Sequence, residues 1–73
     1  MAIQIVMNRT GDSRYQYGSA DAQALVEAER RFSQLTGEGF TAATRNTSGE
    51  LSIMRSFDPS AEETVFFPRL VGG

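Results

Sequence analysis

The closing stretch Glu62-Glu63-Thr64-Val65-Phe66-Phe67-Pro68-Arg69-Leu70-Val71-Gly72-Gly73 decides how this chain is read. Thr64, Val65, Phe66 and Phe67 are β-branched or aromatic, the side chains that fit a pleated, half-buried surface. They predict a strand. Pro68 lacks a backbone donor and cannot sit in the middle of a ladder, so the strand is expected to end there. Gly72 and Gly73 then close the stretch with no side chain at all.

Working outward, each preceding segment has its own signal. Ile3, Ile5 and Met7 alternate with Gln4, Val6 and Asn8, which predicts a strand with one clearly apolar face. Arg9-Thr10-Gly11-Asp12 reads as a turn, since Gly and Asp tolerate positive φ. Tyr15 and Tyr17 alternate with Arg14 and Gln16, completing a hairpin. Gly18-Ser19 stops it, and Ser19 or Asp21 is a good helix N-cap. Ala20 to Leu35 is rich in strong helix formers. Ala22, Leu25, Ala28 or Glu29, Phe32 and Leu35 form an apolar stripe at helical spacing. Gln23, Glu27, Arg30, Arg31 and Gln34 are expected on the solvent side. Gly37 is the expected C-terminal cap.

Phe40 to Arg45 predicts a further strand, Asn46-Thr47-Ser48-Gly49 a turn, and Leu51 to Met54 another strand. Phe57-Asp58-Pro59-Ser60 breaks the chain, because Pro fixes φ. Ser60 to Glu63 is expected to form one helical turn before the last strand. The order is β-β-α-β-β-β. A single amphipathic helix needs one apolar layer to pack on. With a right-handed crossover, this gives an α+β domain: a mixed sheet of four to five strands on one helix. The last strand is expected in the middle, next to the first. That arrangement is a β-grasp, with residues 1–70 as the domain and 71–73 as a flexible tail.

Composition narrows the function classes. The chain has 73 residues, too few for more than one domain. It has no Cys and no His, so disulfides, thiolate zinc sites and Ser-His or Cys-His nucleophiles are excluded within it. Apolar residues make up 40%, enough for a packed core rather than wholesale disorder. The net charge of -2 argues against nucleic acid as a partner. Tyr15 and Tyr17 read as hairpin packing rather than a base-stacking platform. Thr10-Gly11-Asp12 lacks the spaced glycines and Lys of a phosphate loop. No run reaches membrane-spanning length, and the first residues are too polar for a signal peptide. A cytoplasmic monomer without bound cofactor or metal is the expectation.

The closing residues then carry a resemblance. Phe66-Phe67-Pro68 ahead of Gly72-Gly73 resembles the end of the small subunit of molybdopterin synthase, and Ser56-Phe57-Asp58 with the following Pro and acidic residues is similar to the same family. Arg69-Leu70-Val71-Gly72-Gly73 resembles the Arg-Leu-Arg-Gly-Gly end of ubiquitin, departing at Val71. Length and element order are similar to the ubiquitin-like superfamily over the whole chain. Residue-level likeness covers about the last quarter, and Gly37 to Arg55 matches by element order alone.

The resemblance implies a protein modifier or sulfur carrier, not an enzyme. In that superfamily the terminal carboxylate, here that of Gly73, attacks the α-phosphate of ATP on a separate adenylating enzyme. The acyl-adenylate then passes to sulfur, as a thioester or a thiocarboxylate, and on to a target protein or sulfur acceptor. The residue types suit this chemistry, since Gly72 and Gly73 can thread a narrow channel without a Cβ or a restricted φ. Arg69 matches the position that offers a charge to the activating enzyme, where its guanidinium can fork to a carboxylate; the alternative is a solvated tail Arg. Leu70, Phe67 and Pro68 are the further expected contacts. Aligned from Gly72-Gly73, Phe66 falls in the core and Phe67 on the exposed sheet face with Val6, where an aromatic would anchor a partner. The other possibility is that both rings are buried under the helix. The acidic residues show no acid/base spacing, and Glu62-Glu63 reads as a solvated run.

All seven basic residues are Arg. Without a Lys ε-amine the chain cannot build Lys-linked polymers of itself, leaving the Met1 amine as its one acceptor. Single tagging of a target and sulfur carriage both remain open. The alternative function is a β-grasp binding module or assembly factor whose tail is never activated.

Overall fold

The structure, a computed structural model, describes residues 1–68. Arg69, Leu70, Val71, Gly72 and Gly73 lie outside the described residues, and with them the expectations placed on the tail.

Six elements follow in the expected order: β1 (Ala2–Asn8), β2 (Gly11–Tyr17), α1 (Ala22–Gly37), β3 (Phe40–Arg45), β4 (Leu51–Met54) and β5 (Glu63–Pro68). They make an α+β domain of one helix on a five-stranded mixed sheet, ordered β2-β1-β5-β3-β4. β5 lies at the centre. It runs parallel to β1, with Ile5 opposite Val65. It runs antiparallel to β3, with Thr41 opposite Phe67 and Phe40 opposite Pro68. Pro68 takes the last position of β5, where its missing donor interrupts no further ladder bond.

The turns are closed by short polar side chains. Asn8 Oδ1 accepts from the Thr10 N–H and the Thr10 hydroxyl at 2.9 and 2.7 Å, which pins the hairpin between β1 and β2. Asn46 Oδ1 accepts from Ser48 and Glu50 N–H, both at 2.9 Å, between β3 and β4. The backbone there reverses through Gly49 at φ 84°, a region that L side chains enter only with strain.

α1 starts at Asp21, whose Oδ1 accepts from Gln23 and Ala24 N–H. Of the two N-cap candidates, Asp21 is therefore the cap. The C-terminal expectation needs correction. Gly37 is still helical, Glu38 caps α1, and its N–H reaches the Gln34 and Leu35 carbonyls. The residue with positive φ is Gly39, at 103°. A second correction concerns Ser60 to Glu63. Asp58 to Ala61 form a turn closed by the Ala61 N–H on the Asp58 carbonyl, and Asp58 Oδ1 takes the Ser60 N–H and hydroxyl. Ile3 N–H then draws the Glu62 carbonyl to the sheet at 2.9 Å. That contact starts β5 one residue early and leaves no room for a helical turn.

Directly paired residues share a sheet face, so the registers decide which side is covered. Val6 pairs with Phe66, Phe66 with Ala42, and Ala42 with Met54. These four and Phe32 of α1 form the main buried cluster, with Leu35, Phe40, Phe57 and Ala61 packed around it. Phe66 is fully buried and meets Phe32 edge-on, and Phe57 also meets Phe32 edge-on. Ala2, Tyr17 and Ala28 form a second cluster toward β2.

The face of β1 that meets the helix is thus Ala2, Gln4 and Val6 rather than Ile3, Ile5 and Met7. Val6 is in the core, and its expected place beside Phe67 on the open face is overturned. The reason is the parity of β5: Phe66 fits under the helix against Phe32, and Val6 is opposite Phe66. Gln4 then has to enter the core, and both polar atoms of its side chain find a partner there. Its Nε2 donates to the Ala28 carbonyl at 3.1 Å, and its Oε1 accepts from Arg31 Nη1 at 2.6 Å. A buried amide is tolerated only with such partners. Arg31 is consequently half-buried, not on a purely solvent-facing side of α1.

Candidate functional site

Two features of the described residues bear on function: the open face of the sheet with the end of β5, and a groove between β2 and α1. The open face follows from the pairing parity. Across its middle lie Arg14, Ile5, Val65, Ala43 and Ile53; at one end, Met7, Phe67 and Thr41; at the other, Gln16, Ile3, Glu63, Arg45 and Leu51. Alternation along the strands puts every one of these residues opposite the helix. Met7, Leu51 and Ile53 are exposed, Ile53 by 64%, while Ile3, Ile5 and Phe67 are half-buried. Phe66 and Phe67 are therefore split between core and open face, as the alignment from Gly72-Gly73 implies, with Ile5 and Met7 rather than Val6 on the same face as Phe67. Pro68 is exposed at the end of the same strand.

Arg45 Nε and Glu63 Oε2 bridge β3 and β5 at 3.1 Å on this face, both side chains well exposed. A pair so accessible contributes little to stability. Arg45 also donates from Nη1 to the Gly49 carbonyl, so its role is to hold the β3–β4 turn.

The second feature grows from the buried Gln4. By accepting from Arg31 it fixes that guanidinium, whose Cζ sits 3.9 Å above the centroid of the Tyr15 ring. Stacking over an aromatic face favours a cation. The groove beside this stack encloses about 350 Å³ and is lined by Arg14, Tyr15, Gln16, Tyr17, Ala24, Glu27 and Arg31. The Tyr17 hydroxyl is buried without a hydrogen-bond partner. Burial raises its pKa above the ordinary 10.0, while the positive charge of Arg31 pulls in the opposite direction. None of these groups makes a nucleophile-base pair at hydrogen-bond distance.

The expected tail contacts thus fall into two groups. Phe67 and Pro68 lie together at the end of β5. Arg69, Leu70, Gly72 and Gly73 lie beyond the described residues. The sequence reading missed Met7, Leu51 and Ile53 as an exposed set around the half-buried Ile5, and it missed the Gln4–Arg31–Tyr15 assembly. The alternation in β1 and β4 carried the first signal; nothing in the sequence marks the second. Among the described residues no three His, Cys, Asp or Glu side chains gather as a metal site. No helix among them is long and apolar enough to cross a membrane. Compared with family models, curated proteins and solved structures, the chain matches none.

Proposed function

We propose that this chain is a ubiquitin-like protein modifier or sulfur carrier on a β-grasp domain, with the Gly73 carboxylate as its reactive group. The observation that carries this reading is the position of β5. It is central, paired with β1 as far as Phe66 and with β3 as far as Pro68, and the sequence reaches Gly73 five residues after Pro68. A central strand is the most constrained part of a sheet, so the short segment after it has a fixed point of departure. The helix on a mixed sheet is compatible with the β-grasp. The reading holds equally for a carboxylate made by cleavage after Gly73.

The chemistry is assigned to a separate adenylating enzyme. A carboxylate is a poor acyl donor because its oxygen is a poor leaving group. Attack of a Gly73 carboxylate oxygen on the α-phosphate of ATP expels pyrophosphate and forms an acyl-adenylate, with metal and cationic groups of the enzyme stabilising the phosphoryl charge. A thiolate then adds to the acyl carbon and AMP leaves. A Cys thiolate gives a thioester; a sulfide equivalent gives a thiocarboxylate. The chain contributes the acyl group and the surface that presents it. Arg69, Leu70, Phe67 and Pro68 are the proposed contacts to the enzyme, with Phe67 anchored on the open face beside Met7. A target protein or a sulfur acceptor receives the product.

A second reading is favoured by one observation, the apolar open face around Ile5 and Ile53. On that reading the chain is a binding module or assembly factor and the tail is never activated. Pyrophosphate exchange into ATP separates the two. With the adenylating enzymes of its own cell, the full chain supports exchange and a variant lacking Gly72-Gly73 does not. Equal exchange with both, or none with either, favours the binding module.

A further inference from the structure

The groove between β2 and α1 is not used by the chemistry proposed at Gly73, and its donors are unusual. Arg31 is half-buried and held in one orientation from two sides, by the Gln4 oxygen at 2.6 Å and by the Tyr15 ring beneath it. Gln4 takes one of its N–H groups, and among the described residues neither Arg31 nor Arg14 forms an ion pair. A guanidinium has five N–H donors in a planar fork, so most of this fork is unspent. Tyr17 lines the same groove, nine-tenths buried, with an unpartnered hydroxyl. A buried polar group without a partner is costly and is normally satisfied. Of the charged residues lining the groove, Arg31 and Glu27 come from α1 and balance, while Arg14 is on the opposite face of β2.

We infer that this groove is a binding site for a carboxylate. A pre-oriented planar fork matches a planar carboxylate in two parallel hydrogen bonds. A carboxylate monoanion neutralises Arg31 alone, whereas Glu27 would repel the second charge of a phosphate dianion. The carboxylate can come from a free small acid or from an acidic residue of a peptide, since β2 is an edge strand whose outer backbone groups are unpaired.

The test uses the full chain labelled with 15N, titrated at neutral pH and constant ionic strength. Three probes are compared: sodium acetate, a blocked Ala-Asp-Ala tripeptide and inorganic phosphate. Saturable shifts for acetate and the tripeptide are expected at Tyr15, Tyr17, Ala24 and the Arg31 Nε–H. Equal affinity for both assigns a free-acid site; tighter binding of the tripeptide, with shifts running along β2, assigns a peptide source. Arg31→Lys keeps the charge but loses the fork, and should weaken acetate about tenfold, the loss of one hydrogen bond to a charged partner. Tyr17→Phe removes no existing hydrogen bond, should fold, and should leave acetate binding unchanged. Shifts that never saturate, that phosphate reproduces at equal concentration, or that Arg31→Lys leaves unchanged overturn the assignment. None of these outcomes depends on the activity of Gly73.

Discussion

The ring of Phe66 meets that of Phe32 edge to face, with centroids 5.8 Å apart and planes at 68°, while the next residue, Phe67, turns away from the helix. Two adjacent aromatic residues thus serve opposite sides of one strand. Phe66→Ala should cost about 3–5 kcal/mol, the usual loss for emptying a buried aromatic site. That is much of the stability of a domain this small. Phe67→Ala, from a half-buried position, should cost less than half as much in urea unfolding. Its larger effect should appear in the rate of adenylation. If both variants lose stability equally, Phe67 is a core residue and not a presenting one.

Gln4 and Arg31 should behave as a coupled pair. Gln4→Ala removes the acceptor of the Arg31 guanidinium and opens a space against Ala28. Because the bond is to a charged group, the pair should show a coupling of about 1.5–3 kcal/mol in a double-mutant cycle measured by urea unfolding. A coupling near zero would mean that water replaces the Gln4 oxygen at no cost and that Arg31 is not held in place.

Sequence reading reached part of this arrangement and stopped at a definable point. The hairpin, the helix and the last strand were legible because turn residues, helix formers and β-branched runs mark them locally; the cap stayed open between Ser19 and Asp21, and the central place of β5 followed from the element order and crossover rather than from any local mark. The parity of β1 was not. Ala2, Gln4 and Val6 look less apolar than Ile3, Ile5 and Met7, so alternation alone points the wrong set at the helix. The choice is made by β5, where Phe66 takes the helix side and Val6 is opposite it. Gln4 is buried as a consequence, and only the nearby Ala28 carbonyl and Arg31 make that tolerable. Gly37 misled for a similar reason: it is the last helical residue, Glu38 is the cap and the backbone reverses at Gly39, and composition does not distinguish two glycines so close together. The grouping of Phe67 and Pro68 at the end of β5 was legible from the tail. The groove at Arg31 was not, because it depends on the Gln4 contact.

Two groups should shape the pH profile of stability in opposite directions. Asp58 has a pKa below its ordinary 3.8, first because its carboxylate accepts from the Ser60 hydroxyl and then from the Ser60 N–H. A depressed folded-state pKa contributes stability that is complete above the ordinary value and is lost as pH falls through the folded one. Asp58→Asn should therefore flatten part of the acid limb of a thermal melting profile. Tyr17 is the reverse case. Its folded pKa lies above 10.0 because burial disfavours the phenolate. Its contribution is complete below that value and lost as pH rises through the raised one. Tyr17→Phe should flatten the alkaline limb. At neutral pH it should be neutral or mildly stabilising, since the hydroxyl it removes has no partner. A marked loss of stability at neutral pH would show that the hydroxyl is bonded after all.

The most direct measurement is the intact mass of the chain after incubation with ATP, the adenylating enzymes of its own cell and a sulfide donor. The account predicts a gain equal to exchange of one oxygen for one sulfur, or a covalent adduct broken by free thiol, located by fragmentation at Gly73. It also predicts that neither product forms when Gly72 and Gly73 are deleted. An unchanged mass with every adenylating enzyme of that cell would contradict the account and leave the open face around Ile5 and Phe67 as the working surface of a binding module.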